Sequence, residues 1–112
     1  MSMQDSLVKS ITPVDLKQLL AQDNPPLILD VREAEELKIC SLPNAIHIPL
    51  GNLPVALDRL PEGRMIVTVC HYGQRSLQAA LFLKNHGIDQ VLNLAGGVDA
   101  WAEQVDALMK RY

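Results

Sequence analysis

Short apolar runs alternate with helix-like stretches along the chain, and that alternation restricts the fold more than any other feature. Leu27-Ile28-Leu29-Asp30-Val31 and Met65-Ile66-Val67-Thr68-Val69 are nearly continuously apolar, the pattern of strands covered on both faces. Ala45-Ile46-His47-Ile48-Pro49 and Gln90-Val91-Leu92-Asn93-Leu94 read as two further strands. Met65–Val69 is the most strand-like of the four and is expected at the centre of the sheet. Thr12-Pro13-Val14-Asp15 opens a helix with a capping hydroxyl, a proline at the first position and an early acid. Leu16, Leu19 and Leu20 give that helix its apolar face, and Asn24-Pro25-Pro26 ends it. A short acidic helix is expected over Glu33–Lys38, a helical turn over Leu53–Leu57 and a tight turn at Pro61-Glu62-Gly63. A helix from Leu77 to His86 stops at Gly87, and a last one runs from Val98 to about Met109 after the turn Ala95-Gly96-Gly97. Right-handed crossovers then place helices on both faces of a parallel sheet of four to five strands.

The chain has 112 residues, which suits one domain spanning residues 1–112. Hydrophobic residues make up 48% but aromatic ones only 4%, so the core is expected to be aliphatic. A net charge of −3 without a Lys/Arg cluster argues against nucleic acid or an anionic membrane as partner. No apolar run approaches the roughly 18 residues a membrane span needs. Met1-Ser2-Met3-Gln4-Asp5-Ser6 shows no secretory pattern, so a cytoplasmic location with Cys40 and Cys70 reduced is expected. His47, His71 and His86 share no ligand-type spacing with the cysteines, so no metal is expected. Monomer and homodimer are both compatible with the helix faces.

Cys70-His71-Tyr72-Gly73-Gln74-Arg75-Ser76 follows the Met65–Val69 strand directly and leads into a helix. A cysteine there faces unpaired backbone N–H groups and the positive end of a helix dipole. Such surroundings favour the thiolate and so make a nucleophile. Ligands of open parallel sheets gather beyond the carboxyl ends of the strands, where Asp30 to Arg32 and the Gly96-Gly97 turn also lie.

With these pieces in order, the chain resembles the rhodanese-like, single-domain sulfurtransferases. The resemblance rests on Asp30-Val31-Arg32-Glu33, Leu42-Pro43-Asn44-Ala45-Ile46-His47-Ile48-Pro49, the Cys70–Ser76 loop and Leu94-Ala95-Gly96-Gly97-Val98-Asp99-Ala100-Trp101. It implies a three-layer α/β/α fold and a double displacement without metal or organic cofactor. Cys70 would take the outer sulfur of a donor such as thiosulfate or another sulfane-sulfur compound, forming a persulfide. Cyanide, a cellular thiol or a protein acceptor would then remove that sulfur. Protein tyrosine phosphatases and their rhodanese-like relatives place one residue more between cysteine and arginine than the four that separate Cys70 from Arg75. The shorter loop draws its amides toward a single sulfur atom, which favours sulfur transfer over phosphatase or arsenate reductase activity. A catalytically idle interaction or regulatory module is the other class to weigh.

Within the loop, the backbone from His71 to Ser76 is the expected anion cradle, and Gly73 lets it close. Arg75 can turn inward toward the thiol or outward onto a carboxylate such as Glu33. Ser76 can cap the helix and donate to the sulfur. His71 either brings donor-binding charge when protonated or only borders the pocket, and Tyr72 and Gln74 add no charge, so the loop is less cationic than one suited to dianionic thiosulfate. Asp30 and Arg32 are expected to pair with each other or with loop backbone and support the pocket; Trp101 is expected in packing near its rim. Cys40 stands in Cys40-Ser41-Leu42-Pro43-Asn44-Ala45, where rhodanese-like domains usually carry Gly-His before Ile/Leu-Pro-Gly-Ala. It is either a partly buried spacer or a resolving thiol that takes sulfur from Cys70 or forms a reversible disulfide with it.

Overall fold

The computed structural model describes residues 8–112. Five strands form one parallel sheet: β1 (Lys9–Ile11), β2 (Leu27–Asp30), β3 (Ile46–His47), β4 (Ile66–Val69) and β5 (Val91–Leu94), in the order β1-β5-β4-β2-β3. Met65–Val69 supplies the central strand, as its apolar run requires, and every residue of β2 and β4 is buried. Side chains of a strand alternate between the two faces, so each strand feeds two separate apolar layers. Leu27, Leu29, Val31, Ile66 and Cys70 point into one, with Ala79, Ala80 and Leu83 of α3 (Gln74–Asn85). Ile28, Val67, Val69 and Leu94 point into the other, with Leu16 of α1 (Pro13–Leu20) and Val98 and Trp101 of α4 (Gly97–Gln104). The short α2 (Ala34–Leu37) and two 3-10 turns, Leu50–Val55 and Leu57–Arg59, complete the three-layer α/β/α arrangement.

Local sequence accounts for most element boundaries. Thr12 caps α1 by accepting from the Asp15 N–H at 3.1 Å, with Pro13 in the first turn. The expected acidic helix shrinks to α2 because Glu33 and Glu36 form a reciprocal capping box around its start. Three expectations need correction. The strand β1 escaped notice because Lys9-Ser10-Ile11 is too short and polar to show alternation; it is held by parallel pairing to Leu92, Asn93 and Leu94. The helix α3 begins at Gln74 rather than Leu77, since Gly73 already caps it in a left-handed conformation. The last helix ends at Gln104, short of Met109: the Trp101 carbonyl accepts from both Val105 and Asp106, and the Asp106 carboxylate then accepts from Leu108 N–H. That turn sends residues 107–112 back across the sheet's carboxyl end.

The chain runs outward from β2 to β3 on one side and from β4 to β5 on the other. The switch point between β2 and β4 is where open parallel sheets leave a crevice. Asp30 and Val69 are register partners there, which places Val31 and Cys70 side by side just beyond the strands, with Arg32 one residue further. Among the described residues, no helix is long and apolar enough to cross a membrane.

Candidate active site

Cys70 leaves β4 into the switch-point crevice and is 1% exposed. Two donors reach its sulfur: the Gly73 N–H at 3.1 Å and the Ser76 hydroxyl at 3.3 Å. The first belongs to the cap of the twelve-residue α3, so the sulfur sits against the positive end of that helix. Gly73 has φ +105°, a backbone that L side chains rarely adopt, and it packs against Leu94 O and Gly96 N. The loop is buttressed from both neighbours. The Asn93 side-chain amide donates to Gly73 O at 3.0 Å, and the buried Thr68 hydroxyl donates to Ser76 O at 2.9 Å. The start of α4 closes in from above, with Val98 N–H donating to Cys70 O and Asp99 N–H to His71 O. Gly97 lies so close that a Cβ there would strike Cys70 O and His71 O.

None of the remaining loop side chains hydrogen-bonds the sulfur. Arg75 takes the outward option, but its partner is Glu36 rather than Glu33: the two form a bidentate pair at 2.7 and 2.8 Å. Glu33 is committed to the capping box one turn earlier. The Arg75 pair, aided by Tyr112 and outweighing partial burial, holds the Glu36 carboxyl down at about 2. His71 lies between two aromatic rings, 3.8 Å from Tyr72 and 3.7 Å from Tyr112, centroid to centroid, and its Nε2–H donates to Tyr112 O at 2.7 Å. Tyr72 and Gln74 are exposed.

Asp30 and Arg32 pair with each other, as expected, in a fully buried bridge with Nη2–Oδ2 at 2.7 Å. Arg32 goes further than its motif implied. Its guanidinium also donates to Cys40 O at 2.8 Å and to the Tyr112 phenol at 3.0 Å, and lies 3.8 Å from Cys40 Sγ. Burial opposes its charge, yet the bonds to Asp30 and Tyr112 prevail and raise its pKa. The Arg32 carbonyl accepts from His47 Nε2–H at 2.6 Å. Cys40 is half-buried and packs with the layer of α1 and α4, whereas Cys70 packs with that of α3; both thiols are free. Trp101 packs beneath the rim in the α1 and α4 layer.

Sequence reasoning overlooked Glu36, Thr68, Asn93 and Tyr112. Thr68 and Asn93 did carry a signal, each being the polar residue in an otherwise apolar strand. Glu36 and Tyr112 carried none, because their roles depend on how distant segments fold back. A groove of about 810 Å³ between residues 57–64 and 86–90 lies at the amino ends of β4 and β5 and contains none of these groups. Among the described residues, no cluster of three or more His, Cys, Asp or Glu stands ready for a metal ion.

A strand-end cysteine with one loop amide and one hydroxyl on its sulfur stands at the switch point of a five-stranded parallel sheet, the place where open α/β sheets gather ligands. The sequence profile of the rhodanese-like domain matches residues 12–104, and the chain belongs to that family. It is 35% identical over 96 residues to a sulfurtransferase of Allochromatium vinosum, covering 86% of this chain and 90% of that protein. A rhodanese-like domain protein from Staphylococcus aureus superposes with a TM-score of 0.81 at 36% identity, over 88% of this chain and 95% of that one. The human single-domain sulfurtransferase superposes at 0.74 with 26% identity, over 87% and 97% of the two chains.

Proposed function

We propose that this protein is a sulfurtransferase or persulfide carrier that moves sulfane sulfur through Cys70. The observation that carries the reading is the pair of donors on Cys70 Sγ, Gly73 N–H and Ser76 Oγ–H, at the mouth of α3. Relatives named as sulfurtransferases support the class.

The chemistry balances without a cofactor. The Cys70 thiolate attacks the sulfane sulfur of a donor, the donor's S–S bond breaks, and its remaining fragment leaves with the electron pair. With thiosulfate that fragment is sulfite. Cys70 then carries a persulfide with its negative charge on the outer sulfur. The N–H and O–H dipoles fixed on Sγ stabilise the Cys70 thiolate that attacks the donor and leaves again when that sulfur is removed. Attack of cyanide or a thiolate on that sulfur returns Cys70 as thiolate.

The electrostatics favour a donor of low charge. Arg75 is neutralised by Glu36 and Arg32 by Asp30, so neither guanidinium offers its charge to a dianion. A monoanionic alkyl persulfide therefore suits this mouth better than the dianions thiosulfate and inorganic polysulfide. Cys40 can serve as a secondary acceptor only by crossing between the two layers.

Steady-state turnover with cyanide as acceptor tests this. A monoanionic alkyl persulfide should give the higher kcat/KM and thiosulfate the lower, with Cys70→Ser inactive toward both. No turnover with thiosulfate, mercaptopyruvate or polysulfide would remove the enzyme reading and favour a binding module. Hydrolysis of a small aryl phosphate would instead favour the phosphatase reading.

A further inference from the structure

We propose that Tyr112 is a gate over Cys70, and that through it the segment of residues 105–112 determines which sulfur donors reach the thiol. The mouth of the loop is bounded on one side by His71 and on the other by Arg75 with its partner Glu36. Tyr112 engages both sides at once. Its ring stacks on His71 with centroids 3.7 Å apart and planes within 6°, and its main-chain oxygen accepts from His71 Nε2–H. Its phenol donates to Glu36 Oε1 at 2.7 Å and accepts from Arg32 Nη1 at 3.0 Å. One residue thus ties the start of the loop to its arginine end, and Cys70, whose sulfur lies within that loop, is 1% exposed. A nucleophile so covered cannot receive a donor until the cover moves.

The segment is built to move as a unit. Its hinge is the Asp106–Leu108 turn, fixed by one side-chain hydrogen bond. Its outer fastening is Arg111, 48% exposed, which pairs with Asp99 through two bonds at 3.0 Å and reaches Glu103 at 3.5 Å, a surface cluster that salt screens. Met109 and Val105 pack only partly buried against the layer of α1 and α4. A donor that displaces the Tyr112 ring finds the face of His71 vacated and Tyr72 beside it. Donors larger than the opening are excluded for as long as the ring stays docked.

The donor-selecting part rests on the sulfur-transfer reading, whereas the gate itself is a statement about access to a thiol. Alkylation separates the two. The rate of Cys70 labelling by small iodoacetamide and by bulky fluorescein maleimide is measured for the wild-type protein, Tyr112→Ala and Tyr112→Phe, with peptide mass mapping to distinguish Cys70 from Cys40. Tyr112→Ala should raise labelling by the bulky reagent about tenfold, the change in open population that loss of one stacked ring produces. Tyr112→Phe keeps the stack and loses only the phenol bonds, so about threefold is expected; it keeps the test decisive should the alanine variant fold poorly. Iodoacetamide should respond less. Equal rates in all three proteins would overturn the gate, even if Cys70 still loads sulfur from polysulfide. Faster labelling with no sulfur loaded by any variant would uphold the gate and overturn the transfer reading.

Discussion

Two buried polar groups, the Asp30–Arg32 pair and the Ser76 hydroxyl, have different duties at this site, and their physics separates them. Arg32 is fully buried and its charge is compensated by Asp30, with Tyr112 and the carbonyls of Cys40 and Glu36 taking the remaining N–H groups. Removing Asp30 strands a guanidinium in the interior, so Asp30→Ala should cost about 3–5 kcal/mol in urea unfolding. Ser76 donates its hydroxyl to one acceptor, the sulfur of Cys70. Ser76→Ala leaves no orphaned polar atom, so it should keep its unfolding midpoint while slowing sulfur loading about tenfold; a lowered midpoint with unchanged loading would make Ser76 a packing residue. At this scale the sequence was informative wherever chemistry is local. Cys70, Gly73 and Ser76 are neighbours in the chain and meet around one atom. Arg75 was read with two options, and its partner proved to be Glu36, within α2, rather than Glu33, which precedes that helix, a choice that spacing alone does not decide.

The elements place these residues through backbone contacts more than through side chains. The first turn of α4 lies directly on the nucleophile loop, with Gly97 at φ +63° against the carbonyls of Cys70 and His71. A methyl group there must push the loop and α4 apart, so Gly97→Ala should both destabilise the fold and abolish sulfur loading. Gly87, at the end of α3, also has a positive φ but faces open space. Gly87→Ala should cost only the backbone strain of about 1 kcal/mol and leave loading unchanged. Urea titration and intact-mass measurements on both variants check the contrast. The strands and long helices were readable because burial on both faces leaves continuous apolar runs and because caps are chemically distinctive. The edge strand β1 was not, since three residues paired on one side carry too little pattern. The early end of α4 followed from the Asp106 turn, a local hydrogen bond that competes with helix continuation.

Across the whole molecule, distant segments converge on the mouth of the site: α2 brings Glu36, the start of α3 brings Arg75, and residues 105–112 bring Tyr112. Their association should depend on pH at both ends of the scale. Glu36 is held at about 2 against an ordinary 4.5, so its contribution is complete above about pH 4.5 and is lost as pH falls toward 2. Tyr112 is pushed up to about 12 from 10, by burial first and by its bond to Glu36, against the pull of Arg32. Its contribution is therefore complete below about pH 10 and is lost as pH rises through about 12. Thermal unfolding from pH 2 to 12 should show Glu36→Gln levelling with wild type at the acid end, and Tyr112→Phe at the alkaline end. This convergence was beyond the reach of the sequence, because residues 76 positions apart, Glu36 and Tyr112, meet only after the sheet has formed. The account as a whole turns on sulfur bound at Cys70, and intact-mass measurement of the reduced protein after incubation with polysulfide tests it most directly. The wild-type protein should gain one sulfur atom that cyanide removes, with Cys70→Ser unchanged in mass; the same gain in Cys70→Ser, or none in the wild type, would contradict it.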